Sequence, residues 1–230
     1  MDKARYVITL DTDWAPQFMI DYVVDLLQEF KIPATIFCTT PYFFKKNPQI
    51  EIGLHPNLMN DSTQGDCEEN RLSHVALLYP KAVGCRTHRL YWHSNLEQLF
   101  LKHGIKYDSS VLIPFQSDIE PIRFMKLVRF PIWCGDNLYM RINPDTAVFN
   151  PSGFNDPGLK VLNFHPVHIW FNSRTIDETL SALNGHILPQ LTEQETHSMR
   201  RRGNGMEKIF IDVLSQLSKK ERVSTLKEML

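Results

Sequence analysis

The sequence of 230 residues has few cysteines, no excess of charge of either sign and no long hydrophobic run. Its four cysteines, Cys38, Cys67, Cys85 and Cys134, form no C-x-x-C pair, which argues against a disulfide framework or a thiolate zinc site. The formal net charge is -1, and the notable basic run is residues 200–202, so we expect no nucleic-acid partner. No apolar stretch approaches the roughly 18 residues of a membrane helix, and the first residues lack a secretory apolar region. We therefore expect no membrane span and a cytoplasmic location.

Several familiar motifs of other enzyme classes are also absent. The sequence contains no G-x-x-x-x-G-K-[S/T] phosphate loop, no G-x-G-x-x-G fingerprint, no H-E-x-x-H and no G-x-S-x-G elbow. What is present is the composition of an ordinary globular protein, with 43% hydrophobic and 22% charged residues. With no internal repeat or low-complexity linker, the pattern predicts a single domain over residues 1–230.

Apolar, β-branched segments alternate with helical ones along the chain. The predicted strands are residues 5–10, 34–39, 51–55, 82–86, 127–133 and 160–165. Apolar periodicity predicts helices over 17–30, 94–103 and 206–217, whereas 172–205 is weaker and is interpreted as a lid or a partly ordered excursion. This alternation predicts an α/β fold with parallel strands, either a doubly wound sheet or a barrel.

Polar side chains follow the ends of four predicted strands. In "VITLDTDWAP", alternation sends Asp11 and Asp13 to one side of an extended chain, where two like charges need a nearby cation or arginine. The later strands end in "GLHPN", "CRTH" and "FHPVH", which supply His55, Arg86, His88, His165 and His168. Because ligands bind at the carboxyl ends of parallel strands in both kinds of α/β fold, we expect these side chains to converge.

Carboxylate oxygen and imidazole nitrogen together suit zinc and related divalent ions. A lone histidine at a strand end is more often structural, but the coincidence at four strand ends favours metal-assisted hydrolysis. In this interpretation Asp13 binds the metal and Asp11 is the base for a metal-bound water. Arg86 keeps Asp11 ionised and oriented.

The order "TLDTD", "GLHPN", "GCRTH", "NFHP" resembles the polysaccharide deacetylase superfamily, also known as NodB homology or carbohydrate esterase family 4. The resemblance covers most of the chain and implies a distorted, incomplete (β/α) barrel. It implies that Asp11 is the general base, Asp13 a metal ligand, Arg86 the residue that orients the base and His165 the general acid. "TLDTD" differs from the family's T-F-D-D by the insertion of Thr12.

The second family motif, H-[S/T]-x-x-H, departs further, because His55 is followed by "PNLM" and Met59 stands where the second histidine would be. A thioether is a poor ligand for a borderline cation, so Met59 is interpreted as structural. The third metal ligand is predicted to be His88, with Asn57 and His168 as alternatives. The resemblance implies a divalent metal, zinc first, with cobalt, manganese or nickel as alternatives.

Other residues are assigned to the substrate side of the site or left with two interpretations. Trp14 and Trp133 are predicted to pack a sugar ring, and Asn57 and His168 to contact substrate if they are not ligands. Asp136 either hydrogen-bonds a substrate or His165, or is an exposed loop residue. The arginines at 200–202 either meet a phosphate or form a solvated loop.

The "HPN … RTH … HPVHIW" arrangement resembles the divergent branch of the superfamily that accompanies cell-surface polysaccharide and O-antigen synthesis. The leading hypothesis is a metal-dependent deacetylase of an acetylated sugar or sugar-linked precursor. The alternatives are a metal hydrolase of another small amide C–N bond, and a catalytically silent sugar-binding homologue that lost its metal with the second histidine.

Overall fold

The computed structural model describes residues 3–44, 47, 49–143 and 148–230. In these residues one sheet contains nine strands in the order β6-β7-β5-β4-β3-β2-β1-β9-β8, all parallel except for the antiparallel pair β6 and β7. The strands are β1 (Ala4–Asp11), β2 (Ala34–Cys38), β3 (Ile50–Leu54), β4 (Gly84–Cys85), β5 (Tyr107–Asp108), β6 (Ile122–Phe124), β7 (Leu127–Arg129), β8 (Ile132–Gly135) and β9 (Gly158–Phe164).

The sheet forms an incomplete barrel. It is not closed, since its end strands β6 and β8 are not paired with each other in the described residues. The segment after β5 partly spans the gap through an isolated bridge between Leu112 and Ile132. The backbone N–H of Ile132 donates to the carbonyl of Val111 at 2.7 Å, and that of Ile113 donates to the carbonyl of Ile132 at 2.9 Å. The predicted α/β fold is confirmed, and the incomplete barrel is the alternative adopted.

Helices cover the sheet. They are α1 (Gln17–Glu29), α2 (Glu68–Leu78), α3 (Leu96–Lys102), α4 (Asp136–Ile142), α5 (Pro166–Phe171), α6 (Ile176–Leu183), α7 (Glu193–His197) and α8 (Met206–Leu217). In α1, residues 19, 20, 23 and 27 are buried, which is the spacing of one helical face. The predicted helices at 17–30, 94–103 and 206–217 are confirmed as α1, α3 and α8, and 172–205 contains α6 and α7.

The predicted strand over 127–133 is wrong as a single element. Pro131 lacks an N–H for a ladder hydrogen bond, and the chain forms β7 before it and β8 after it. The two strands pair with different neighbours, β5 and β9. The break leaves the carboxyl end of β8, and Asp136 directly after it, beside β9.

Both faces of the central strands are buried, which explains their nearly continuous apolar sequence. Val7 of β1 belongs to an apolar cluster that includes Phe37 and Val161, whereas Ile8 joins the cluster that contains α1 and α8 residues such as Val23 and Phe210. No helix of the described residues is long and apolar enough to cross a membrane.

Candidate metal-dependent active site

The site lies where several strands end. Asp11 ends β1 and Asp13 follows it, His55 follows β3, Arg86 and His88 follow β4, Asp136 follows β8, and His165 follows β9. The strand register explains part of the convergence. Thr9 of β1 pairs with Asn163 of β9, and Asp11 and His165 each come two residues after a member of this pair. All of these residues except His88 and Asp13 are buried.

A sharp turn after β1 turns Asp13 into the site. Asp13 and Trp14 both have positive φ, 42° and 60°, a conformation that is costly for residues other than glycine. Thr12 holds this turn, because its hydroxyl lies 3.0 Å from that of Thr39 and accepts the backbone N–H of Thr39 at 3.0 Å. The hydroxyl of Thr39 in turn accepts the N–H of Trp14 at 3.1 Å. The residue inserted between the two aspartates therefore has a structural role.

Asp13, His55 and His88 form a group of ligand atoms that lie within 4.8 Å of one another. Asp13 Oδ1 is 2.9 Å from Nε2 of His55 and 3.0 Å from Nδ1 of His88. We call these three residues the first cluster. Burial raises the pKa of Asp13, but hydrogen bonds from His55 and His88 and the charge of His165 hold it well below its usual range.

The orientation of His55 suits a metal ligand. Its Nδ1 lies 2.7 Å from the backbone carbonyl of Arg86, to which Nδ1–H donates, so Nε2 is the nitrogen that faces Asp13. Nε2 carries a proton there in the charged ring and a lone pair in the neutral ring. A lone pair and a carboxylate oxygen 2.9 Å apart repel each other unless a proton or a cation lies with them. Burial lowers the pKa of His55, but Asp11 and Asp13 raise it by more, so the surroundings favour positive charge here. One carboxylate and two imidazoles therefore fit a divalent cation.

Asp11 lies beside the first cluster but is held by other partners. Its Oδ1 accepts a hydrogen bond from Nη1 of Arg86 at 3.0 Å, and its Oδ2 accepts one from Nδ2 of Asn163 at 2.8 Å. Arg86 is fully buried and also donates to Thr9 and Ser109. Burial raises the pKa of Asp11, but the charges of Arg86, His55 and His165 lower it by more. Asp11 is consequently an ionised, oriented carboxylate.

His165 is paired with Asp136. Its Nδ1 lies 2.7 Å from Asp136 Oδ1, and its backbone N–H donates to Asp136 Oδ2 at 2.6 Å. The other ring nitrogen, Nε2, is 3.5 Å from Asp13 Oδ2 and 3.9 Å from Asp11 Oδ2. Burial lowers the pKa of His165, but Asp136, Asp13 and Asp11 together raise it to about 10. The ring therefore carries a proton that faces the two aspartates.

His168 lies behind His165 and away from the first cluster. Its Nδ1 is 2.8 Å from the hydroxyl of Thr179, and its Nε2 is 3.0 Å from Oδ1 of Asn137. Asp136, His165 and His168 also lie within 4.8 Å of one another, and we call them the second cluster. Burial is the main reason that the pKa of His168 falls to about 4, so this ring is neutral.

Like Arg86 and His168, the predicted residues Trp14, Trp133 and Asn57 lie outside the pocket lining. The edge of the Trp14 ring packs against His88 with centroids 5.1 Å apart, so it supports the first cluster from behind. Trp133 is fully buried, and its indole N–H donates to the carbonyl of Gln116. The side-chain oxygen of Asn57 accepts the backbone N–H of Met59, which stabilises the turn after β3. Met59 itself is half-buried.

A pocket of about 160 Å³ opens over these groups. Asp11, Asp13, His55, His88, Asp136 and His165 line its polar part, and Leu90, Leu112, Ile132 and Leu138 its apolar part, with Arg89, Gly135, Asn137 and Asn163 completing it. Its volume is below the roughly 300–1,000 Å³ of pockets that enclose a drug-sized ligand. It is suited to a small acyl group beside water.

Sequence reasoning did not single out Asn163. Its amide links Asp11 to Arg86, since Nδ2 donates to Asp11 and Oδ1 accepts from Arg86. The signal available was one amide in the otherwise apolar strand "KVLNFH", on the same face as His165. The interpretation of Asp136 as a partner of His165, rather than as an exposed residue, agrees with its position.

Comparison with known proteins assigns the fold and the family. A family model described as WbmS-like polysaccharide deacetylase matches residues 8–182 of this chain. The chain belongs to this WbmS-like family. The matched range contains Asp11, Asp13, His55, Arg86 and His165, so the candidate site lies within the part of the chain that the family model describes. No curated protein matches.

Solved structures agree with this fold. A crystal structure described as a polysaccharide deacetylase involved in O-antigen biosynthesis, from Bordetella bronchiseptica, has a TM-score of 0.80 at 22% identity and covers 92% of this WbmS-like chain and 90% of its own. A polysaccharide deacetylase from Mycobacterium smegmatis has a TM-score of 0.57 at 14% identity, with coverage of 99% and 89%. A carbohydrate esterase family 4 pseudoenzyme from Bacillus anthracis has a TM-score of 0.50 at 10% identity, with coverage of 97% and 64%. Identities this low carry the fold alone.

Proposed function

We propose that this protein is a metal-dependent deacetylase that hydrolyses an acetyl group from an acetylated sugar or a sugar-linked polysaccharide precursor, with residues 1–230 as its catalytic domain. The observation that carries the proposal is the convergence of the first cluster with Asp11 and His165 on one small pocket. Membership of the polysaccharide deacetylase family supports it. The Bordetella relative, described as involved in O-antigen biosynthesis, favours a precursor of a cell-surface polysaccharide as the substrate.

Asp13, Nε2 of His55 and Nδ1 of His88 would hold the divalent ion, for which zinc is the first candidate and cobalt, manganese and nickel are alternatives. When bound, such an ion supplies a Lewis acid that lowers the pKa of water and polarises a carbonyl. Asn57 and His168, the alternative third ligands, make their hydrogen bonds elsewhere.

Asp11 is the general base in this proposal. Arg86 and Asn163 each use one lone pair of its carboxylate, so further lone pairs remain for the proton of an attacking water. The same two partners keep the carboxylate charged and aimed. The water oxygen then bonds to the acetyl carbon, while the bond from that carbon to the sugar nitrogen or oxygen breaks.

His165 is the general acid. Asp136 holds Nδ1, which leaves the proton on Nε2 facing the aspartates and available to the departing amine or alcohol. The products are acetate and the free sugar group. The apolar wall formed by Leu112, Ile132 and Leu138 is suited to the acetyl methyl. Trp14 and Trp133 would then act on the sugar only indirectly, through His88 and the core.

A second candidate is a hydrolase of a small amide, which the limited pocket volume favours because such a molecule would fit entirely inside. The test is acetate release by the chelated protein supplied in turn with zinc, cobalt, manganese or nickel. Metal-restored release from acetylated sugars supports the deacetylase, and turnover of small amides alone supports the second candidate. A protein that neither binds metal on titration nor releases acetate would be a silent sugar-binding homologue, and the proposal would be wrong.

A further inference from the structure

The pocket has two hydrogen-bond donors that the proposed chemistry does not use, Arg89 and Asn137. The side chain of Arg89 is exposed and makes no hydrogen bond or ion pair with the described residues. Among the other arginines with a claim on substrate, Arg86, Arg200 and Arg201 are occupied, and Arg202 does not line the pocket. Arg86 holds Asp11, whereas the Arg200 and Arg201 side chains pair with Glu207 and Glu178 away from the pocket. Arg89 is thus a cation at the pocket that is left for a ligand.

Arg89 lies in a tight, hydrogen-bonded turn of the backbone. Arg89 and Leu90 have consecutive positive φ angles of 55° and 54°, a conformation that is unfavourable for residues other than glycine. Backbone hydrogen bonds hold the turn, from His88 N–H to the carbonyl of Pro56 and from Leu90 N–H to that of Thr87, both at 3.0 Å. The turn that brings His88 to the first cluster therefore also places Arg89 at the pocket lining.

Asn137, in the first turn of α4, is the second donor. Its Oδ1 lies 3.0 Å from Nε2 of His168, and its backbone N–H donates to Asp136 at 2.7 Å. The side-chain amide N–H groups have no partner among the described residues. In the tautomer that carries the proton of the neutral His168 ring on Nε2, this nitrogen donates to the amide oxygen, and what Asn137 then offers a ligand is N–H.

The size of the pocket decides which part of the substrate meets these donors. A volume of about 160 Å³ accommodates an acetyl group beside water, so the sugar that carries it extends past the lining. The pocket already holds the carboxylates of Asp11, Asp13 and Asp136, which make it unattractive to an anion without a dedicated cation. A guanidinium can bind a carboxylate or a phosphate through two parallel hydrogen bonds.

We propose that Arg89 and Asn137 form a specificity subsite for an anionic group, a carboxylate or a phosphate, on the acetylated sugar. The inference rests on the proposed deacetylase function and adds its substrate class. An acidic sugar or a sugar phosphate supplies the same chemistry at this subsite, and the experiment below separates them.

The experiment compares three probes, N-acetylglucosamine, its 1-phosphate and the corresponding uronic acid, on the metal-loaded protein. The readouts are kcat/KM for acetate release and, independently, the dissociation constant from calorimetry. We expect the anionic probes to have a higher kcat/KM and a lower dissociation constant than the neutral probe. Arg89→Gln should reduce the ratio of kcat/KM for an anionic probe to that for the neutral probe by about 10- to 100-fold, as for the loss of one charge-assisted hydrogen-bonding group. Arg89→Lys should restore part of the ratio. The anionic probe with the higher kcat/KM shows whether the subsite is used by the carboxylate of an acidic sugar or by a sugar phosphate.

Arg123→Gln is the matched control, because Arg123 is exposed on β6 and does not line the pocket. It should leave the ratio unchanged. Equal loss for neutral and anionic probes in Arg89→Gln, or no preference in the parent protein, would overturn the subsite. If no probe is hydrolysed, the deacetylase proposal fails, and the calorimetric ratio still decides whether Arg89 selects an anion.

Discussion

Two groups of one aspartate and two histidines lie side by side in this protein, and their surroundings give them different chemistry. In the first cluster Asp13 is shared by two imidazoles, and the side chains of Asp13 and His88 are 24% and 16% exposed toward the pocket. In the second cluster Asp136 uses both oxygens on the ring and backbone N–H of His165, and both nitrogens of His168 are occupied.

The difference between the two clusters shows that ligand type and proximity do not by themselves define a metal site. A metal needs lone pairs that are not already used, and it needs access. In the first cluster the carbonyl of Arg86 takes Nδ1 of His55, so Nε2 is directed at Asp13 and at the pocket, whereas in the second cluster the oxygens of Asp136 and both nitrogens of His168 make internal hydrogen bonds. We therefore expect the first to bind metal and the second to deliver a proton.

Asp13→Asn should have the largest effect. It removes the charge that joins both histidines of the first cluster, so metal binding is lost and the deacetylation rate falls by about 10⁴-fold or more. Metal content by mass spectrometry and the rate of acetate release measure the two effects. Full activity with a normal metal content would remove Asp13 from the ligand set.

Asp11→Asn should separate the base from the metal. The asparagine keeps the size of the side chain but cannot take a proton, so kcat is expected to fall by about 10²- to 10⁴-fold. The metal content should remain that of the parent protein, because Asp11 is not part of the first cluster. A variant that loses the ion as well would assign Asp11 to the ligands instead.

Asp136→Asn tests the second cluster by the same pair of measurements. Loss of the carboxylate that holds Nδ1 of His165 should lower kcat by about 10- to 100-fold, with metal content unchanged. Metal loss in this variant, matched by metal retention in Asp13→Asn, would reverse the roles of the two clusters.

His168→Gln should give the smallest effect, on stability. The pKa of His168 is about 4 in the folded protein, below its usual value near 6.5, so the unfolded chain binds more protons between these pH values. Stability supplied by the neutral ring is present above about pH 6.5 and is lost as the pH falls toward 4. Urea unfolding between pH 4 and 6.5 should therefore show a pH slope shallower in the variant by up to about 1.4 kcal/mol per pH unit. Parallel slopes in the two proteins would mean that His168 is not held neutral.

Much of this arrangement could be predicted from the sequence, because strand ends carry its chemistry. The strand preceding Asp11 and the helix that follows were recognisable from their apolar periodicity. The convergence of Asp13, His55 and His88 followed from the rule that parallel strands end at one edge. His88 was predicted as the third ligand ahead of Asn57 and His168, but its approach to Asp13 depends on the turn at Arg89, whose positive φ no periodicity encodes.

Other features of the structure could not be predicted from the sequence, for physical reasons. Helix α2, Glu68–Leu78, has a weak apolar face and buries Arg71, which donates to three backbone carbonyls. Strand β5 has two residues, too few for an alternation, whereas β4 lies within the predicted strand 82–86 but is limited to Gly84–Cys85. The depth of Trp133 could not be known either, since an aromatic residue beside a strand end packs into the core or faces a substrate according to its neighbours.

The central claim is that one divalent ion binds at Asp13, His55 and His88 and none at the second cluster. Anomalous diffraction from crystals soaked with zinc tests it most directly. We expect one strong peak in the anomalous difference map, within coordination distance of Asp13 Oδ1 or Oδ2, His55 Nε2 and His88 Nδ1. A peak between Asp136, His165 and His168, or no peak at either cluster, would contradict it.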